Sequence, residues 1–345
     1  MPQKQESREP DMHKETATSS SGESPAAVRA HTRSQLRLIA PLDILTVIGL
    51  VVLTPVAWLL PQHLWPKLGR CVIAMVMRLL PKTAATTAAR IDSCLGTTSD
   101  RLSTHEIVKR ALSRYYEETL LLLKCYRPDG WEPVVKLQGL EHLQSAVAGG
   151  KGVVLWIGHF QHYSLISKIA MFRAGFAFSH LSHPRHGFSS TRFGMRFLNP
   201  IRTHVEDRYL KERVYMGLDE STTAVNTLRE RLLAAGIISI TARGDKVHKP
   251  VTVPFLTGSL PLAIGAPGLA QQTQATLLPV HAVQTDSGAY IAIIEPPIVL
   301  DATQPRWVAG EAAAREYASR LEAVVREFPD QWEGWGYVVM GISSN

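Results

Sequence analysis

After Pro128-Asp129-Gly130 the chain alternates short apolar runs with helical stretches, and this constrains its fold more than any other feature. Strand-like runs fall at Val134–Leu137, Val153–Ile157, Ile237–Thr241, Leu277–Ala282 and Tyr290–Ile294. Helical stretches lie between them at Leu140–Ala148, Gln161–Ala174, Thr223–Ala235 and Leu260–Gln272. A last helix runs from about Trp307 to Phe328 and stops at Pro329. The alternation predicts an α/β domain over residues 131–345, a mostly parallel open sheet flanked by helices.

Upstream, the text changes character twice. Residues 1–40 are rich in Ser, Thr, Glu, Lys and Pro, with almost no large apolar side chain before Gln35, so the segment reads as a disordered tail. Residues 41–61 contain an uncharged run of 17, Ile44–Leu60, at the low end of the length that spans a bilayer. Trp58 and Trp65 stand where interfacial anchors belong, and Pro55 is tolerated in such helices. This is the candidate transmembrane or membrane-anchoring helix, with a buried or surface-lying helix as the alternative. Basic residues flank it on both sides, so charge assigns no orientation. Residues 62–130 read as a helical membrane-proximal segment: an amphipathic helix over Leu64–Leu80, then a second over Thr104–Tyr126 with Ser103 or Thr104 as its cap.

Charge narrows the partners. The chain has 345 residues and a net charge of +7, and the tail, with six Lys/Arg against five acids, supplies only +1 of it. The remaining +6 suits an anionic membrane surface, phosphate-bearing substrates or an acidic carrier protein. No basic helix interleaved with stacking aromatics points to nucleic acid. Three cysteines, Cys71, Cys94 and Cys125, show no paired spacing, so neither a disulfide framework nor a structural zinc is expected and a reducing compartment is the default.

The residues that carry chemistry sit in Val153-Val154-Leu155-Trp156-Ile157-Gly158-His159-Phe160-Gln161-His162-Tyr163-Ser164. A histidine immediately after a buried strand lies at the carboxyl end of the sheet, where open α/β folds place their ligands. Its pKa near neutrality suits it to general base work, against the plainer role of a capping or packing residue.

Several segments occur in an order that resembles the bacterial lipid A biosynthesis acyltransferases, the lauroyl/myristoyl transferase family. They are the N-terminal apolar helix, "LGR…MRLLPKTAATTAARIDSCLG", "LQGLEHLQSAVAGGKGVVLWIGHF", "VTVPFLTGSLPLAIGAPGLAQQTQATLLPVHA" and "FPDQWEGWGYV". The resemblance covers residue 40 to the end. It implies a glycerolipid acyltransferase-like fold at the cytoplasmic face of the bacterial inner membrane. It also implies transfer of a fatty acyl chain from an acyl carrier protein or coenzyme A thioester to a lipid or glycolipid hydroxyl or amine, with no metal or tightly bound cofactor. His159 matches the family's general base. The family places a carboxylate five residues on, to hold the imidazole tautomer and offset its charge; here that position is Ser164.

Three readings of Ser164 stay open. A carboxylate from elsewhere, such as Asp245 or Glu206, replaces the missing acid; or a weaker His159–Ser164 pair, or His162, serves; or transfer has been lost and the chain is a lipid-binding or complex-forming subunit. Asp245, in Thr241-Ala242-Arg243-Gly244-Asp245-Lys246, falls near the family's aspartate-containing loop but could equally be a turn residue. Arg185, Arg192 and Arg196 are the nearest matches to the family's basic residues for substrate phosphates, with a solvated loop as the alternative. The segment His180–Phe188 follows a further strand-like run; its His180, His183 and His186 are interrupted by Pro184 and do not read as a metal set. The basic cluster that the family carries after Trp332 is missing, with Gly334-Trp335-Gly336-Tyr337 in its place, which points to a specialised acceptor.

Overall fold

The structure, a computed structural model, describes residues 37–341 apart from 80, 97–101, 217–220 and 245–248. Most of the expected tail lies outside the described residues. From Leu38 onward the chain forms one compact unit.

Helix α1 (Pro41–Leu59) starts with proline at its first position, where a missing N–H leaves no bond unmade, and Asp43 accepts from the Ala40 N–H at 2.7 Å. A 3₁₀ turn leads into α2 (Trp65–Leu79), followed by α3 (Pro81–Leu95) and α4 (Thr104–Cys125). Ser103 caps α4 by accepting from the Glu106 N–H. The alanine-rich α3 was not among the expected helices.

Among the described residues the main sheet has seven strands. In chain order the elements are β1 (Val135–Gln138), α5 (Leu140–Ala148), β2 (Val153–Ile157), α6 (Tyr163–Arg173), β3 (Ser179–Ser182), α7 (Asn199–Asp207), β4 (Glu212–Tyr215), α8 (Ser221–Leu233) and β5 (Ile237–Thr241). A hairpin of β6 (Val251–Phe255) and β7 (Gly258–Leu262) stands apart, then come α9 (Gly265–Thr273), β8 (Thr276–Gln284), β9 (Tyr290–Ile294) and α10 (Arg306–Glu327). The order across the sheet is β1-β9-β8-β2-β5-β3-β4. Every neighbouring pair is parallel except β8–β9. That pair is closed by a short turn at Asp286-Ser287-Gly288, too short for the crossover a parallel pair needs.

The α/β architecture with a mostly parallel sheet is therefore as expected, with local differences. Leu260–Gln272 is not one helix: Leu260-Pro261-Leu262 belongs to β7 and the helix starts at Gly265. Proline is tolerated there because, among the described residues, β7 is flanked along its length by β6 and on its other side is bridged by Val339 at Ser259, not at Pro261. His180 lies within β3 rather than after a strand.

The two faces of β2 explain its continuous apolar run. Val154 and Trp156 share a core with Leu228 and Leu232 of α8, Leu269 of α9 and Tyr317 and Leu321 of α10. Val153, Leu155 and Ile157 face Leu143 of α5 and Met171 of α6. Alternate residues thus serve opposite cores, as a central parallel strand requires.

Candidate active site

The end of β2 is held tightly before the chain reaches His159. The Gly158 N–H donates to the Val280 carbonyl at 2.8 Å, and a Cβ on Gly158 would lie 2.5 Å from Nδ1 of the buried His281. Only glycine lets the backbone pass that close. His159 follows, 8% exposed, at the carboxyl ends of β2 and its neighbours.

The last segment of the chain runs back along this strand end. The Gln161 N–H donates to the Gln331 carbonyl at 2.8 Å, Phe160 bridges antiparallel to Trp332, and the Glu333 N–H donates to the His159 carbonyl at 3.0 Å. This short ladder delivers the Glu333 carboxylate to the ring: Oε2 lies 2.9 Å from His159 Nε2. The geometry is that of a carboxylate accepting the Nε2–H, which leaves Nδ1 as the basic nitrogen. Tyr337 Oη is 3.5 Å from Nδ1, and its ring stacks on the imidazole at 5.9 Å.

Glu333 is placed by rigid surroundings. Trp332 packs on Phe255 and on the edge of Trp335 within the main core, and the Trp335 indole N–H donates to the Pro329 carbonyl. Arg114 donates to Asp330 at 3.1 Å, and the Gln331 side chain exchanges two hydrogen bonds with the backbone of Gln284. Gly334 is required here too, since a Cβ would fall 2.2 Å from the Trp332 ring.

On its other side His159 meets the edge of Tyr163 at 5.1 Å. Burial, then the nearby Glu333 and Glu206 charges, push the Tyr163 hydroxyl above its ordinary range, so it is a neutral partner. Arg243, two residues beyond β5, places its guanidinium 5.0 Å from the centre of the Tyr337 ring. The site therefore gathers His159, Glu333, Tyr163, Tyr337 and Arg243 from the ends of two adjacent strands, the start of α6 and the C-terminal segment.

The expected residues fall in different places. Ser164 is buried and faces a cation: Arg202 donates to its Oγ at 3.2 Å and to Glu118 at 2.8 Å. Glu206 is committed elsewhere, fully buried and accepting from Lys168 at 2.9 Å, Arg213 at 2.8 Å and His186 at 3.0 Å. Burial opposes the Glu206 charge, but Lys168, His186 and Arg213 outweigh it and hold the carboxyl well below its ordinary range. It is not the acid of His159. Asp245 lies outside the described residues. His162 is also buried, with both ring nitrogens unpartnered and the ring edge-on to Tyr290; burial and the charges of Arg114 and Arg202 push it down to about 3. Enclosed, without a hydrogen bond to the His159 cluster and packed edge-on to Tyr290, His162 fills space beside the site.

Arg185, Arg192 and Arg196 are exposed, and no hydrogen bond joins them to the His159 cluster among the described residues. Among the other histidines, His180 bonds Ser239 at 2.7 Å and His186 bonds Glu206, so the two serve separate partners. Two clefts of about 660 and 330 Å³ run along α4 and the β8–β9 turn, lined by residues such as Arg110 and Asp286; His159 lines neither.

Glu333 is the residue that reasoning from sequence missed. Its signal was present: directly after Trp332, where the resemblance calls for basic residues, the chain has an acid. No family model matches the chain, and no curated protein matches it significantly.

Proposed function

We propose that this protein is an acyltransferase that moves a fatty acyl chain from an acyl carrier protein or coenzyme A thioester to a hydroxyl or amine of a lipid or glycolipid, at the cytoplasmic face of a bacterial inner membrane. The observation that carries the reading is the His159–Glu333 contact of 2.9 Å at the carboxyl edge of the sheet. It supplies the base-and-acid pair that the Ser164 position lacks, and so favours activity over a lipid-binding subunit derived from an enzyme.

In this reading Glu333 accepts the Nε2–H of His159 and fixes the tautomer with Nδ1 unprotonated. Nδ1 takes the proton of the acceptor O–H or N–H as the acceptor atom bonds to the thioester carbonyl carbon. The imidazolium formed is offset by the Glu333 charge, and in this reading Arg243, whose guanidinium lies 5.0 Å from the centre of the Tyr337 ring that stacks on His159, takes the role of offsetting the oxyanion. The intermediate collapses with cleavage of the carbon–sulfur bond, and the departing thiolate recovers the proton from Nδ1 to leave as thiol. Acceptor gains acyl, donor gains hydrogen, and neither a metal nor a bound cofactor enters the step.

The test is transfer of a radiolabelled acyl group from acyl carrier protein or coenzyme A to an extracted bacterial lipid fraction by the purified full chain. Transfer by wild type that His159→Ala abolishes supports the reading. Equal transfer by both, or none by a folded wild type with either donor, overturns it.

A further inference from the structure

Helix α1 is long and apolar enough to cross a membrane, yet it is tied to the domain at both ends. At its start, Asp43 is buried and accepts from the hydroxyls of Ser189 at 2.5 Å and Thr191 at 2.7 Å, while the Phe193 N–H donates to the Leu38 carbonyl at 3.0 Å. At its end, the Trp58 indole N–H donates to the Leu123 carbonyl at 2.8 Å, and Arg127 donates to the Trp58 carbonyl at 3.1 Å. Between these ties Leu50 and Ala57 are buried in a core shared with Leu120, Leu121 and Ile166. A helix of 19 residues is about 28 Å long, so one that crossed a bilayer would carry its far end, with α4 and Arg127, to the opposite side. Helix α4 bears Glu106, Lys109, Arg110, Arg114, Glu117, Glu118 and Lys124 and cannot follow it through hydrocarbon.

The outward face of α1 is the reverse of a soluble helix. Its nine exposed residues form one stripe and all are apolar, among them Leu42, Leu45, Ile48, Val52 and Leu59. Its polar side chains are turned away: Asp43 is buried, and Thr46 and Thr54 bond back to carbonyls of their own helix. Past the start of the helix Leu38 is also exposed and apolar, and Phe193, which donates to its carbonyl, packs its ring at 5.2 Å on that of the exposed Phe197. Here the tie between Phe193 and Leu38 brings the exposed Arg192 beside the chain entering α1, with Arg196 exposed on the adjoining turn. An apolar stripe with guanidinium groups at one end has the chemistry of a bilayer interface bearing anionic headgroups.

We infer that α1 lies in the plane of one anionic leaflet as an embedded face of the domain and does not span the bilayer. This rests on the proposed function only in placing the chain at a membrane; its test reads position and not acyl transfer, so either can fail alone.

The experiment uses the full chain with Cys71→Ser and a single new cysteine at one end of α1, Ile39→Cys or His63→Cys, both exposed positions. Each is produced in bacterial cells, and inverted membrane vesicles are labelled with a membrane-impermeant maleimide. Equal labelling of the two positions from the cytoplasmic side is expected; labelling of only one shows a spanning helix and overturns the inference. Sedimentation with phosphatidylcholine vesicles, with and without about a third phosphatidylglycerol, is the second reading. Binding at least 10-fold tighter with the anionic lipid, reduced at least 10-fold by Val52→Glu and several-fold by Arg192→Glu/Arg196→Glu, is expected. Failure of the wild type to bind either vesicle, or a dimer in solution that Val52→Glu dissociates, assigns the stripe to a protein surface and overturns the inference.

Discussion

Glu333 Oε2 lies 2.9 Å from His159 Nε2, and the backbones of the same two residues are joined by a 3.0 Å hydrogen bond from the Glu333 N–H to the His159 carbonyl. The acid is therefore registered to the base by a main-chain ladder, which a change of side-chain rotamer does not disturb. A carboxylate five residues along a helix is positioned by the helix; this one is positioned by the core packing of Trp332 and Trp335.

Restoring an acid at the helical position is expected to fail. A glutamate in place of Ser164 meets Arg202, which already donates to the serine hydroxyl at 3.2 Å and to Glu118 at 2.8 Å. Ser164→Glu should pair with Arg202, and the double variant Ser164→Glu/Glu333→Gln should transfer no more than Glu333→Gln alone. Recovery of more than a tenth of wild-type turnover in the double variant would show that the position still addresses His159.

His162 makes a pH prediction. Its folded-state pKa is pushed down to about 3 by burial and then by Arg114 and Arg202, while the unfolded chain titrates near 6.5. Between those values the unfolded state binds a proton that the folded state refuses. The stability is complete above about pH 6.5 and falls with acidification, by up to about 1.4 kcal/mol per pH unit. Urea midpoints of wild type and His162→Phe, compared at pH 7.5 and 5, should show the smaller acid loss in the variant. An identical loss in both assigns the acid sensitivity to other groups.

The cluster around Glu206 is expected to be structural. Lys168, pushed down to about 8 chiefly by burial, and Arg213 both donate to the buried Glu206 carboxylate. Glu206→Ala leaves these cations without their buried partner and should cost about 3–5 kcal/mol in urea denaturation. A loss under 1 kcal/mol would mean that Asp207, which also pairs with Arg213 at 2.7 Å, or entering water replaces it.

How much of this was legible in the sequence depends on where the information resides. β2, β5, β9 and the helix after Gly139 follow from local apolar pattern, and His159 from its place after a strand. β3 and β4, Ser-His-Leu-Ser and Glu-Arg-Val-Tyr, carry polar side chains that find partners only in the folded sheet, such as His180 on Ser239 and Glu212 on Ser179. A strand-like run is read just before His180, and no local pattern announces β4. Glu333 was hidden for the same reason: it is far from His159 in the sequence, and only the folding of the chain's end against β2 brings its carboxylate to the ring. For α1 the surface-lying setting is one of the alternatives read from sequence, and hydropathy cannot choose it because it registers the apolar stripe but not the ties at Asp43 and Trp58.

The most direct measurement is the turnover of Glu333→Gln in the labelled acyl-transfer assay, with its thermal unfolding recorded alongside. The glutamine keeps the size of the side chain but removes the charge that offsets the imidazolium. A fall of about 100-fold or more in kcat, with KM and the unfolding temperature little changed, is the expected result. Turnover within about 3-fold of wild type would contradict the pairing of His159 with Glu333 as the catalytic couple.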